Sequence, residues 1–445
     1  MIKHSFFANH YIVIKKIINS NTAWSLSSNG LIAILGFINL GFIARLFSQA
    51  DAGMWFMLLT VYTLLEMLRS GWVQTPFVRF YILANGYTQQ LKLVAAAWQL
   101  LIVITLIISL FLIPLIIFNY QISPAFKLAQ NYTLLWLISA LPYQLVQWQL
   151  QAKSMFKKLA IIRLVFTLCF TVILLLQAKY KLSINSLALS YALIQFLVGL
   201  TAVLGGWLKF GIWQTKLYNE RKQLSNFGKY SMFTMITASL LRSSDQFLIA
   251  TWLGPAAVAM YAIPQKLIEA IEIPVRSFAS IAAAKATILY KENQFLTLRL
   301  FFYRECGMLL AIILPVILLF FFFPTFIVNL LGGSKYESSS ILLQIFCGYA
   351  ILIPLDRYCG VLLDAGNKPQ KNTLKVVLML LINVIGDIAA LRLGAGIYGV
   401  AAVSTVTFMF GIIVGWYQLK DILQSLSAKL LWQQGVIINL KALKK

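Results

Sequence analysis

The sequence predicts an all-α polytopic membrane protein, with about twelve transmembrane helices in two six-helix bundles. Three observations carry that prediction. First, the 445 residues are 60% hydrophobic and only 11% charged, with mean hydropathy +0.82; a soluble domain of this size carries about 25% charged residues. Second, the apolar residues fall in continuous blocks of about 20, the length that crosses a bilayer. The blocks lack the alternation of barrel strands. Third, lysine and arginine gather in alternate loops, as a correct helix count must produce.

The elements follow in order. The first helix is predicted at 23–44 and contains polar "SLSSNG" (25–30), suited to close packing or to a polar lining. The second, 53–74, carries Glu66 and Arg69. The third, 93–118, is among the plainest, with "LLIVITLIISLFLIPLIIF". The fourth, fifth and sixth are placed at 132–150, 159–176 and 184–207. The seventh, 230–252, holds "TASLLRSSDQ" (237–246). The eighth, 258–284, holds "PQKLIEAIEIPVR", bracketed by Pro264 and Pro274. Proline in a spanning helix frees backbone carbonyls and permits a bend. The last four are placed at 306–328, 339–362, 373–391 and 395–418. Charge lowers the hydropathy of the second, seventh, eighth and tenth.

The loops test this count. With the N-terminus inside, 25 of the 37 lysines and arginines fall on the cytoplasmic side and 6 on the outer side. That bias predicts a multi-pass chain with both termini in the cytoplasm. The domain reading is an N-terminal bundle (1–208), a basic cytoplasmic linker (209–229), a C-terminal bundle (230–418) and a tail (419–445). In the tail, Ile422, Leu423, Leu426 and Leu430 recur between lysines, the pattern of an amphipathic helix on the inner leaflet.

Several function classes are excluded. A net charge of +24 on a soluble protein suggests nucleic acid; here the charge belongs to the loops, and no nucleic-acid partner is expected. Cys169, Cys306, Cys347 and Cys359 lack ligand spacing and read as small buried hydrophobes, so no metal is expected. The two histidines, His4 and His10, are both near the N-terminus and leave no histidine acid–base site in the core. Lys15 and Lys16 interrupt the N-terminal apolar run, so no secretory signal peptide is expected.

The two halves align. "IARLFSQADAGMW" (43–55) lies over "IATWLGPAAVAMY" (249–261) at an offset of 206, and at that offset Glu66 meets Glu272 and Asn39 meets Asp245. Six helices per half put both halves in the membrane in the same sense, a parallel repeat as in some transporters.

Charge inside the helices points to function. They hold Glu66, Arg69, Arg163, Arg242, Asp245, Lys266, Glu269, Glu272, Arg276, Asp356, Arg357 and Asp387. Each costs roughly 2.5–3.5 kcal/mol at the bilayer centre. Glu66–Arg69, Arg242–Asp245 and Lys266–Glu269 are three apart and Glu272–Arg276 four apart, spacings that share a helix face. Two readings stand. The couples are salt bridges that make the helices insertable, or the set lines a hydrophilic path. Its concentration in the second, seventh, eighth and tenth helices, with almost none in the third, sixth, ninth and twelfth, favours the path.

The block "IARLFSQADAGMWFML" resembles the hallmark after the first helix of the oligosaccharide flippases. These form the polysaccharide-exporter branch of the multidrug/oligosaccharidyl-lipid/polysaccharide (MOP) superfamily. Ala44, Arg45, Gly53 and Trp55 fit it, and Ser48 stands where glycine is usual. "RSSDQFLIATWLGPAAVAMYAIPQKL" is similar to the second-half hallmark: Asp245, Leu253, Gly254, Val258 and Tyr261 fit, and Ala259 replaces a common glycine.

The resemblance implies a two-bundle, alternating-access transporter without enzymatic activity or a resident cofactor. It would flip polyprenyl-pyrophosphate-linked oligosaccharide repeat units for surface polysaccharide such as O-antigen. Its partners would be that lipid-linked substrate, the bilayer, and assembly proteins such as the polymerase. Arg69, Arg242, Lys266 and Arg276 are the candidate substrate-binding cations. Glu66, Asp245, Glu269 and Glu272 are candidates for coupling to a proton or sodium ion. Three rivals are weighed. A multidrug/cation antiporter shares the superfamily. A peptidoglycan-precursor flippase usually has two more helices. A membrane glycan polymerase or ligase commonly has a large outer loop, whereas the longest here is 119–131.

Overall fold

A computed structural model describes residues 21–118, 123–211 and 217–424, together with positions 430, 431 and 433. Among the described residues every regular element is helical. The chain divides into two compact units, Met1–Ile236 and Thr237–Lys445. That boundary lies inside a helix.

The first unit contains α1 (Asn21–Leu46), α2 (Gln49–Leu83), α3 (Tyr87–Ile117), α4 (Lys127–Ala152), α5 (Phe156–Tyr180), α6 (Ile184–Leu204) and the first half of α7 (Tyr218–Trp252). The second contains the rest of α7, then α8 (Pro255–Lys291), α9 (Phe295–Phe322), α10 (Ser334–Ala365), α11 (Pro369–Arg392) and α12 (Gly396–Gln418). A short helix, Pro324–Gly332, joins α9 to α10.

Eight of these helices, α2, α3, α5, α6 and α9 to α12, are long and apolar enough to cross a membrane by length and composition. Helices α7 and α8 fall short because of their charges, whereas α2 and α10 qualify despite theirs. Helix α4 also falls short, because Gln130, Gln144, Gln147, Gln149 and Gln151 dilute it.

Most helices overrun the predicted apolar cores. Helix α8 has 37 residues, about 55 Å at 1.5 Å per residue, against a hydrocarbon core of about 30 Å. Backbone hydrogen bonding continues after the apolar run stops. Helix α8 continues through both Pro264 and Pro274. Of the expected linker (209–229), residues 212–216 lie outside the described residues, and the chain is helical from Tyr218. Most of the expected tail helix and the side chains of "SLSSNG" before Gly30 also lie outside them; Lys420–Leu423 forms one helical turn.

The hallmark blocks make the turns that open α2 and α8. Ser48 has φ −60° and caps α2, its Oγ accepting the Asp51 N–H at 3.1 Å. A negative φ there has no need of the usual glycine. Gly254, the corresponding residue before α8, has φ +82°, a conformation that favours glycine.

Within the first unit, α2 packs against the opening half of α7 at backbone distance. Arg69 is followed by a π-helical turn, Ser70–Gln74. A Cβ at Gly71 would lie 2.6 Å from Met232 Cα, and one at Gly228 would lie 2.0 Å from the Trp72 carbonyl oxygen. Trp72 Nε1 donates to Ser225 Oγ at 3.0 Å across the same contact. Backbone cannot yield as a side-chain end does, so Gly228→Ala should destabilise the protein by about 1–3 kcal/mol. A detergent-solubilised variant with the wild-type melting temperature would refute this packing.

Three of the cysteines are buried as expected, but Cys169 is exposed on α5. An apolar surface facing lipid accepts a thiol as readily as a core does.

Candidate functional site

The first unit holds one of the charged couples. Arg69 on α2 is fully buried (0% exposed). Its Nε and Nη2 donate to Glu66 Oε2 at 3.0 and 2.5 Å. Its Nη1 donates to Thr105 Oγ1 on α3 at 3.1 Å and to the Leu137 carbonyl on α4 at 2.7 Å. The guanidinium thus spends its donors tying three helices together. Beside it, Gln195 Nε2 donates to Tyr62 Oη at 2.8 Å. The hallmark Trp55 is core here, stacked on Phe170 at 5.7 Å and edge-on to Trp136 at 5.4 Å. Asn39 accepts from Thr171 Oγ1 at 2.8 Å, and Arg163 Nε donates to Gln147 Oε1 at 2.7 Å.

The second unit holds a cavity of about 170 Å³, space for on the order of ten waters. Arg242 and Asp245 of α7 line it, with Glu269, Glu272 and Arg276 of α8 and Asp356 and Arg357 of α10. Helix α10 breaks at this level: one segment ends at Ala350 and the next starts at Ile353, with Pro354 in its first turn. The break brings Asp356 and Arg357 to the cavity as adjacent residues.

The ion pairs differ from those the spacing predicts. Lys266–Glu269 pairs at 2.7 Å and Glu272–Arg276 at 3.6 Å. Arg242 and Asp245 do not form an ion pair, although they sit three apart. Asp356 instead pairs with Lys375 of α11, whose Nζ donates to Asp356 Oδ1 at 2.6 Å and to its carbonyl at 3.1 Å. Lys375, at the start of the predicted eleventh helix, is buried. Among the described residues, Arg242 and Arg357 have no carboxylate within 4 Å, and both are exposed to the cavity side.

Asp245 is 5% exposed and turns into a polar cluster between α7, α8, α11 and α12. Tyr261 Oη donates to Asp245 Oδ2, and Ser404 Oγ donates to the same oxygen at 3.2 Å. Asn383 Nδ2 donates to Asp245 Oδ1 at 2.5 Å and to Asp387 Oδ2 at 3.0 Å. Thr407 Oγ1 donates to Asn383 Oδ1 at 2.9 Å. One amide therefore bridges two buried carboxylates. Neither carboxylate has a cation within 4 Å among the described residues, and Asp387 Oδ1 is buried without any hydrogen-bond partner. Two carboxylates in such a place call for a positive charge between them. The carboxylate oxygens of Asp245 and Asp387 and the hydroxyls of Ser404 and Thr407 are hard ligands, which suits a proton or an alkali-metal ion. Among the described residues, groups of three or more histidine, cysteine, aspartate or glutamate side chains able to hold a metal are absent.

Of the eight residues singled out by sequence, Arg242, Asp245, Glu269, Glu272 and Arg276 share this cavity. Lys266 holds Glu269 without being a lining residue. Glu66 and Arg69 belong to the network of the first unit. Sequence reasoning missed Asn383, Ser404 and Thr407, neutral residues in apolar helices. The four-residue spacing of Asn383 and Asp387 on α11 was the available signal.

The sequence profile of a family described as polysaccharide biosynthesis protein matches residues 42–341. The chain belongs to that family. A comparison with curated protein sequences finds no match. Solved structures share the fold at low identity. The lipid II flippase MurJ, in an inward closed conformation, is 15% identical with a TM-score of 0.67, covering 94% of this chain and 92% of that one. An inward-facing MATE-family multidrug resistance transporter of the MOP superfamily is 14% identical with a TM-score of 0.70, covering 89% and 96%. A MOP-superfamily transporter from Pyrococcus furiosus, described as having a binding pocket of reverse polarity, is 14% identical with a TM-score of 0.61, covering 91% and 94%. This member of the polysaccharide biosynthesis family is therefore a multi-pass membrane protein with the fold of MOP-superfamily transporters.

Proposed function

We propose that this protein flips polyprenyl-pyrophosphate-linked oligosaccharide repeat units across the bacterial cytoplasmic membrane, by alternating access driven by an ion. Both termini lie in the cytoplasm, and the two bundles are a parallel repeat. One observation carries the choice of cargo. Of the cavity carboxylates, Glu269, Glu272 and Asp356 each have a cation within 4 Å and Asp245 is held by neutral donors, whereas Arg242 and Arg357 have no carboxylate within 4 Å among the described residues. Such a lining favours an anionic head group over a cationic drug. Guanidinium groups pair with pyrophosphate oxygens through charge-assisted, bidentate hydrogen bonds. The lipid tail stays in the bilayer while the head crosses the polar cavity. Family membership supports a surface-polysaccharide repeat over a peptidoglycan precursor.

The coupling ion binds at Asp245 and Asp387, with Asn383, Ser404 and Thr407 completing the oxygen set. Taking up a positive charge would relieve the repulsion between the carboxylates. It would also alter the hydrogen bonds that tie α7 to α8, α11 and α12.

The test is purified protein in liposomes, assayed with a polyprenyl-pyrophosphate glycan and with a cationic dye. Glycan crossing is expected, and dye crossing without glycan crossing would reverse the assignment. Arg242→Ala and Arg357→Ala should each slow glycan transport about 10–100-fold, the worth of a charge-assisted hydrogen bond, with normal abundance in the membrane. Arg276→Ala should cost less, because Glu272 already occupies that guanidinium. Equal losses from all three would remove the distinction between matched and unmatched arginines.

A further inference from the structure

Between Glu66 and Glu220 the chain has no acidic residue, while that stretch carries twelve lysines and arginines. The structure gathers three of them. Lys153 ends α4, and its N–H donates to the Gln149 carbonyl at 3.0 Å. Lys209 follows α6, and its N–H donates to the Gln149 side-chain oxygen at 2.9 Å. Lys158, in the first turn of α5, places its Nζ 5.3 Å from the centre of the Trp207 ring. A single residue, Gln149, therefore holds the backbones of Lys153 and Lys209 together, and Lys158 covers Trp207, two residues before Lys209.

Two features show that this cluster is incomplete within the chain. None of the three ammonium groups makes an ion pair among the described residues. Gln149 is 1% exposed, and because its oxygen must face the Lys209 N–H, its Nε2 is left as a buried donor without a partner. The surroundings are those of a membrane interface. Leu204, Phe210 and Met155 are 78%, 55% and 37% exposed around the lysines, and tryptophan favours the headgroup level. Burial, with Lys209 and Lys158 nearby, holds the Lys153 ammonium below its ordinary range, as expected where positive charge lacks a counter-ion.

We propose that Lys153, Lys158 and Lys209, with the Gln149 amide and Trp207, form a binding site for the phosphate of an anionic phospholipid headgroup where α4 turns into α5. The exposed apolar residues accommodate the start of the acyl chains, which favours a lipid over a free anion. This site is separate from the cavity of the second unit and does not depend on the cargo assigned to it.

Native mass spectrometry of the full chain in neutral detergent, titrated with phosphatidylglycerol and with phosphatidylcholine, tests the site. A lysine near an anionic headgroup contributes about fivefold, so three should give phosphatidylglycerol a preference on the order of 100-fold. Substituting Lys153→Gln, Lys158→Gln and Lys209→Gln together should bring that preference to within about fivefold. Lys209→Glu, on an exposed side chain that leaves the fold intact, should lower it at least about fivefold. Retention of the wild-type preference in both variants would overturn the proposal. Displacement of the lipid by an equal concentration of inorganic phosphate would assign the lysines to a free anion and overturn the lipid reading.

Discussion

Asp245→Asn should abolish gradient-driven transport, by about 100-fold or more, while the protein still folds and inserts. A factor of 100 corresponds to about 2.7 kcal/mol. The asparagine amide is close to the carboxylate in size, and its oxygen still accepts from Tyr261 or Ser404, so the contacts among α7, α8 and α12 survive, while its NH2 can no longer accept the bond from Asn383 of α11. What disappears is one of the two negative charges bridged by Asn383. The variant mimics a site that permanently carries its positive charge, so it no longer responds to proton or sodium. Two measurements on liposomes separate the roles. Uptake driven by an imposed gradient should collapse, whereas glycan equilibration without a gradient should persist. A variant that still accelerates when the gradient is applied would remove Asp245 from coupling. Asp387→Asn should behave in the same direction, because both carboxylates share the one amide.

Arg69→Met should produce the largest loss of stability, about 3–5 kcal/mol, the usual result of removing one partner from a buried ion pair. The substitution leaves Glu66 without its cation, and it also frees the Thr105 hydroxyl and the Leu137 carbonyl that Nη1 holds. The expected signs are a lower melting temperature in detergent and reduced abundance in the membrane. Adding Glu66→Gln should restore much of the loss, since the stranded charge goes with it. Without such rescue, the packing of the arginine stem would explain the destabilisation instead. The contrast with Arg242 is instructive. Arg69 is enclosed with all three guanidinium nitrogens engaged, whereas Arg242 lines a cavity without a carboxylate within 4 Å among the described residues. The first should fail in stability and the second in transport.

Both predictions depend on partners that sequence spacing assigned unevenly. Glu66–Arg69, Lys266–Glu269 and Glu272–Arg276 were legible, because residues three or four apart on one helix are neighbours whatever surrounds them. Arg242–Asp245 has the same spacing and does not pair. The donors that capture Asp245 from other helices are Tyr261, Asn383 and Ser404, which stand 16, 138 and 159 residues away. A buried carboxylate satisfied by three such donors gains more than from one cation at the cavity wall. Asp356 likewise passes over adjacent Arg357 for Lys375, because neighbouring residues on a helix point in different directions.

The sequence by itself determined that the chain is helical and crosses a membrane, and where the charged helices lie. These follow from local quantities, namely the length of apolar runs, the cost of charge in lipid and the spacing along a helix. Only the tertiary structure decided which charges neutralise each other. It alone showed that Arg242 and Arg357 have no carboxylate within 4 Å among the described residues, and that Asp245 and Asp387 meet at one asparagine. The reason is that a side chain's partner in a bundle is set by which helix faces meet. That depends on the packing of all the helices, and no stretch of sequence carries it.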